Sequence, residues 1–264
     1  MTQSSKYLDR DFLRQLLSLS AIIAAFVINI LANVAPINGL TIGEISNTIF
    51  REVQITPANY AFAIWGLIYL SLISFGFYQA LPAQRQKPIL RKTGYPLILS
   101  SLAQICWVFL FQYRLFPLSL LAMLVILLPL IGIYLRLRIG LEKVSQQERW
   151  FIHMPVSIYL GWISVATIVN VALVLYYLKW SGWGISPQEW TVIVLMCAAV
   201  IAAIVIIKRA DTAYPLVIVW ALVAIAVRHS TTPMIAATAG GLAIAIVSLL
   251  LFIWLRRRKS NLRY

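Results

Sequence analysis

The chain has 264 residues, 61% of them hydrophobic and only 11% charged, with a mean hydropathy of +0.87. That balance excludes an ordinary soluble domain and reads as an integral membrane protein. Its 22 Lys and Arg against 8 Asp and Glu give a net charge of +14, which taken alone would suggest nucleic-acid binding. The placement of the charges argues otherwise.

Eight apolar runs follow one another: 16–35, 60–81, 94–111, 116–135, 155–178, 190–207, 213–227 and 233–255. None contains Asp, Glu, Lys or Arg, and most reach the roughly 17 to 25 residues needed to cross a hydrocarbon core. The seventh is short. With the N-terminus on the cytoplasmic side, 18 of the 22 basic residues fall in segments on that side. Arg51, Arg114, Lys179 and Arg228 fall on the other. Lys and Arg collect on the cytoplasmic side of membrane proteins, and dropping the seventh run would place the cluster from Arg256 to Lys259 outside.

The sequence therefore predicts an all-α, polytopic bundle of about eight transmembrane helices. It predicts a multi-pass protein of the cell membrane with both termini cytoplasmic. The basic excess follows from topology and from attraction to anionic headgroups of the lipid bilayer, and calls for no nucleic acid. The first run lacks a small-residue cleavage site and is followed by further spans, so it reads as a membrane helix and not as a cleaved signal.

Most connections are short, as in a bundle of antiparallel neighbours. The exception is 36–59, with Glu44, Arg51 and Glu52, whose length suggests a lid or binding element over the bundle. Gly, Ser and Pro at 180–188 break the chain a second time. The division is five spans in 1–180 and three in 181–264, with no repeat relating the two parts.

The eight acids all lie outside the apolar runs, whereas ion-coupled transporters usually keep a carboxylate at membrane depth. His153 and His229 sit at the ends of different spans. Cys106 and Cys197 are isolated and read as small buried residues. No metal centre, cofactor or nucleophile–base set is expected from this inventory.

Aromatic and amide side chains remain. Helical spacing puts Phe62, Trp65 and Tyr69 on one face of the second span. In the third span Ser100, Gln104, Trp107 and Phe111 share a face. In the fifth, Tyr159, Trp162, Ala166 and Asn170 form a stripe whose polar atoms are poorly suited to lipid tails. Three such faces could line one cavity for a large, flat, mostly apolar ligand. Asn29 and Asn33 in the first span read as interhelical hydrogen-bonding residues.

At these residues the chain resembles the tryptophan-rich sensory protein, or translocator protein, family. TPANYAFAIWGLIYL resembles the family's prolines and V-W-T-x-L-Y pattern in the second helix, through Pro57, Trp65 and Tyr69. LAQICWVFLF resembles L-N-L-x-W-x-x-L-F-F in the third, with Trp107 matched and Gln104 at the usual Asn. YLGWISVATIVN resembles P-Y-x-x-W-x-x-F-A-x-x-L-N in the fifth, through Tyr159, Trp162, Ala166 and Asn170. The resemblance covers about 10–180. This sequence departs from the family at Ile158, where a Pro is usual, and at Met123, where an acid is common.

The resemblance implies a five-helix core whose loop side covers a pocket for porphyrins, sterols or synthetic aromatic ligands, with 181–264 as a three-helix extension. It implies Trp65, Tyr69, Gln104, Trp107, Tyr159, Trp162, Ala166 and Asn170 as ligand-binding residues, a porphyrin as bound ligand and not a cofactor, and a homodimer as one assembly. The leading function is a membrane receptor or binding protein for flat hydrophobic molecules. A passive transporter or exporter of a hydrophobic solute and a porphyrin-degrading enzyme are the alternatives, and the residues favour binding over turnover.

Overall fold

A computed structural model describes the backbone of residues 2–261 and the side chains of residues 10–258. Lys6, Asp9, Lys259 and Arg263 of the charge inventory lie outside the described side chains. All regular secondary structure among the described residues is helical, with no strand among them. In chain order the helices are α1 (Thr2–Val34), α2 (Ile42–Thr48), α3 (Ile64–Ala80), α4 (Pro88–Gln112), α5 (Phe116–Arg136), α6 (Gln146–Glu148), α7 (Met154–Tyr177), α8 (Pro187–Lys208), α9 (Ala213–Arg228) and α10 (Pro233–Asn261). A 3₁₀ turn, Asn59–Ala63, leads into α3, and a π turn, Arg149–His153, leads into α7.

The starts and stops are those the sequence chemistry provides. Pro at the first or second position opens α4, α5, α7 and α8, where its missing N–H costs nothing. Ser186 and Glu189 form a capping box on α8, as Thr41 and Glu44 do on α2. Among the described residues seven helices are long and apolar enough to cross a membrane, and α9, with 16 residues, is a shorter apolar helix.

The helix α1 begins well before the apolar run. Its early turns carry Asp11 and Arg14, both buried. The Arg14 guanidinium donates to the carbonyls of Leu90 at 2.7 Å and Arg85 at 2.8 Å, and Arg91 pairs with Asp11. The charge-bearing turn thus fixes α1 to the start of α4, an arrangement the apolar pattern does not disclose.

Two units emerge from the packing. In the first, α1 packs on α3 and α4, α4 on α5, α5 on α7, and α7 back on α3, closing a five-helix ring. In the second, α8, α9 and α10 pack mutually, and α9 docks on α7. Gly161 allows that docking: a Cβ there would stand 3.0 Å from the Val217 Cβ and 3.2 Å from the Tyr214 carbonyl.

At about 1.5 Å per residue, α9 spans roughly 24 Å, short of the ~30 Å hydrocarbon core. Its inner face, with Val217, Ile218, Ala221, Leu222 and Ile225, is buried against protein while Leu216, Val223 and Val227 on the outer face are exposed, and protein meets the charge at each end. Before its first turn, Asp211 accepts from the Tyr134 hydroxyl (2.9 Å), the Ser157 hydroxyl (2.8 Å) and the Ala213 N–H (2.9 Å). At its last turn, Arg228 donates to the Asn47 side-chain oxygen (2.9 Å) and the Pro57 carbonyl (3.2 Å). Beside Asp211 the chain comes closest at Gly140, which accepts from the Ala210 N–H at 2.8 Å. Its φ of +78° and the 2.8 Å that would separate a Cβ from the Ala210 and Asp211 nitrogens both require glycine. The short helix is therefore a strut, pinned at both ends.

Two expectations are corrected. Asn29 and Asn33 make no bond between helices: Asn33 donates to the Asn29 carbonyl one turn earlier at 2.7 Å, and the Asn29 amide nitrogen has no partner among the described residues. Cys106 and Cys197 are not buried but exposed on the outer faces of α4 and α8, where a small apolar thiol suits a lipid-facing surface.

Candidate functional site

The three aromatic faces converge inside the five-helix ring. On α3, Trp65 and Tyr69 stand one turn apart and stack with ring centroids 5.5 Å apart and planes 25° from parallel. From α7, Tyr159 and Trp162 meet Trp65 edge-on at 6.4 Å and 6.5 Å. Phe62, in the turn before α3, meets Trp162 edge-on at 6.2 Å. On α4, Trp107 stacks on Phe111 at 5.0 Å. Edge-to-face and offset contacts of this kind bring the positive rim of one ring to the negative face of the next and hold the rings in fixed orientations.

One polar chain crosses the aromatic wall. The Trp107 indole N–H donates to the Asn170 side-chain oxygen at 2.8 Å, and the Asn170 amide donates to the Ser119 hydroxyl at 3.2 Å. That hydroxyl in turn donates to the Phe116 carbonyl at 2.7 Å. Helices α4, α7 and α5 are thereby joined at one depth. Asn170, the polar residue of the fifth-span stripe, has its partners within the ring.

Between these groups lies a cavity of about 60 Å³. Of the eight residues singled out in the sequence, Trp65, Trp107, Trp162, Ala166 and Asn170 line it. Tyr69, Gln104 and Tyr159 do not, although all three are buried. The Tyr69 hydroxyl donates to the Ala25 carbonyl at 3.1 Å. Tyr159 packs against Trp65. Gln104 is 1% exposed, and neither its amide oxygen nor its nitrogen has a partner among the described residues.

The cavity also takes in residues outside the three aromatic faces. Met123 of α5, noted in the sequence only as a departure from the family, is buried and lines the wall. Ile42, Ser46 and Pro57 belong to the long first connection, which lies over the cavity as a lid.

The lid is a packed element. It contains α2, and Phe50 is buried edge-on against Phe116 at 4.7 Å. Glu52 accepts from the Tyr176 hydroxyl at 3.0 Å. Its far side is held by α9: Arg228 binds Asn47 and Pro57, the Ala58 N–H donates to the Ala224 carbonyl at 3.1 Å, and the Trp220 indole donates to the Ala61 carbonyl at 3.0 Å. His229, next in the chain, is held below the ordinary imidazole value by burial and then by the Arg228 cation, so it is neutral at pH 7 and the latch charge is that of Arg228. The C-terminal unit thus holds the cover of a cavity built by the five-helix ring. Arg228 appeared in the sequence only as one of four basic residues on the loop side.

Charge-assisted hydrogen bonds contribute about 1.5–3 kcal/mol each, less where water reaches them. Arg228→Ala should therefore favour lid opening by about 1.5–2 kcal/mol. Amide hydrogen exchange across 42–58, measured by mass spectrometry, is expected to speed up roughly 10- to 30-fold while α4 and α5 keep their protection.

Comparison with known proteins agrees with this geometry. A family model described as TSPO-like protein matches residues 15–253. The chain belongs to that family. The three motifs carry the resemblance only to about residue 180, whereas the TSPO-like match runs on through α8, α9 and most of α10. No curated protein and no solved structure matches the chain. Membership of the TSPO-like family, together with the apolar helices, makes the chain an integral, multi-pass membrane protein of a ligand-binding or transport family.

Proposed function

We propose that this TSPO-like protein is a membrane receptor or binding protein for flat hydrophobic ligands of the porphyrin type. One observation carries the reading: Trp65, Trp107 and Trp162, from three helices, surround a single cavity in which Asn170 supplies an oriented amide. Indole faces stack on a conjugated ring, and a few placed polar groups set its orientation. Gln104, one turn below Trp107 on α4, has a free donor and a free acceptor for a ligand that reaches deeper than the cavity.

The cavity is small for such a ligand. About 60 Å³ accommodates a few water molecules, whereas drug-sized ligands occupy pockets of roughly 300–1,000 Å³. Binding therefore requires the cavity to widen, and the lid, held by the α9 latch, is the element placed to move. The charge distribution supports cytoplasmic termini, with the lid on the opposite side of the membrane.

The test is titration of the purified protein with protoporphyrin, followed by its Soret absorbance. Trp65→Ala and Trp162→Ala should each weaken binding about tenfold or more, the effect of removing one buried aromatic anchor. Unchanged affinity in both variants overturns the pocket.

A further inference from the structure

A second, smaller cavity of about 20 Å³ lies against the first, so a ligand group that enters it must part the helices that line it. It is lined by α7, α8 and α9, with Ile55 from the lid, and every side chain that lines it is aliphatic. The two cavities share Val165 and Val169, which stand one turn apart on α7. A single layer of valine side chains therefore separates an aromatic, amide-bearing chamber from a purely aliphatic one.

The second chamber exists because of how the C-terminal unit docks. Both α7 and α8 pack on α9, but α7 and α8 make almost no direct contact with each other, and a cleft runs between them. Ile168 on α7 and Val194 and Ala198 on α8 line the cleft and are only half-buried. They face the side on which lipid would lie. The inner wall, with Ile218, Ala221 and Leu222, is fully buried. The cleft has no ring to stack on and no side-chain polar group to satisfy, so it matches a run of methylene groups and little else.

We propose that the cleft between α7 and α8 holds the aliphatic chain of a ligand whose ring occupies the aromatic cavity, the chain passing Val165 and Val169 and emerging toward the bilayer. The ligand class is a flat ring bearing one long hydrocarbon tail. This rests on the flat-ring reading of the first cavity and adds to it the part of the ligand that the three C-terminal helices recognise. It also gives those helices a role in the site beyond latching the lid. Because lipid solvates a hydrocarbon chain as well as a cleft does, the cleft directs the chain more than it adds affinity.

The experiment must locate the chain. The probe is a porphyrin monoester of a hexadecyl chain carrying a mid-chain diazirine, added to the full-length protein in mild detergent, photolysed without oxygen and mapped by peptide mass spectrometry. Expected are crosslinks to the facing peptides of α7, α8 and α9 around Val165, Val194 and Ala198. They should be displaced by excess porphyrin methyl ester and lost in Ala198→Phe, which fills the cleft from its half-exposed rim. Val194→Phe serves the same purpose if the first variant does not fold. Crosslinks confined to the outer faces of α1, α4 or α5, or unchanged in the filled-cleft variants, overturn the proposal.

The methyl ester, which has no long chain, reports on the first cavity alone through its Soret shift. Loss of that shift with cleft crosslinks retained removes the flat-ring reading and leaves the chain site. A normal shift without cleft crosslinks removes the chain site alone. Absence of both overturns both.

Discussion

Asn170→Leu is expected to lower the thermal midpoint of the detergent-solubilised protein by roughly 4–10 °C and to weaken porphyrin binding. Leucine is close in volume, so the change is mainly one of hydrogen bonding. The Trp107 indole N–H loses its acceptor at 2.8 Å and is left buried, and the Ser119 hydroxyl loses the amide that donates to it. A buried donor without a partner costs about 1–3 kcal/mol, and each kcal/mol moves the midpoint of a chain of this size by about 2–4 °C. The indole is then free to rotate off the cavity wall, which is why binding falls along with stability. Trp107→Phe made together with Asn170→Leu removes donor and acceptor at once and should recover part of the stability but not the binding. Differential scanning fluorimetry and the protoporphyrin titration separate the two effects. A double variant no more stable than Asn170→Leu alone counts against the hydrogen bond as the cause.

The fold was legible in the sequence wherever a single physical rule dominated. Burial of backbone polar groups in hydrocarbon demands helices, and the eight apolar runs agree with the long helices and α9 to within a few residues at nearly every end. Pro233 starts a helix in both readings, whereas α4 and α8 begin a few residues ahead of their apolar runs, at Pro88 and Pro187. The start of α4 and the end of α10 run six residues into charged sequence, and α1 departs furthest, because the Arg14 guanidinium has carbonyl partners on the α3–α4 turn and α4. Apolar periodicity cannot register a buried cation.

The site was legible in a different way. Helical spacing identified which rings share a face, and five of the eight chosen residues line one cavity. Spacing carries no information on depth, so it could not separate Trp65, on the cavity wall, from Tyr69, one turn away and bonded to Ala25. The lid's contribution was less accessible still. Ile42, Ser46 and Pro57 reach the cavity only because Phe50 packs on Phe116 on one side and α9 holds Asn47, Pro57 and Ala58 on the other. Those contacts join segments far apart in the chain, the α9 contacts across more than 160 residues, and no local pattern encodes them.

Asp211 combines the same difficulty with the largest expected effect. Counting charges placed it correctly outside every apolar run, in the turn between α8 and α9, yet it is 7% exposed and accepts three hydrogen bonds. Two of the donors belong to the five-helix ring, Tyr134 on α5 and Ser157 on α7, so this one carboxylate ties the C-terminal unit to the ring. Asp211→Ala strips the acceptor from three donors together. With some of them recovering water at this end of the bundle, the loss should be about 3–5 kcal/mol, the cost typical of breaking a buried charged network from one side. The thermal midpoint should fall by roughly 6–20 °C. The geometry also fixes where the damage appears. Exchange protection should fall first in α8 and α9, and since α9 carries Arg228, the lid across 42–58 should loosen with them although it lies at the opposite end of the bundle. Asp211→Asn retains an acceptor oxygen and should sit between alanine and the native residue. If Asp211→Ala loosens α9 but leaves lid exchange at its native rate, α9 is not the strut that connects the two ends.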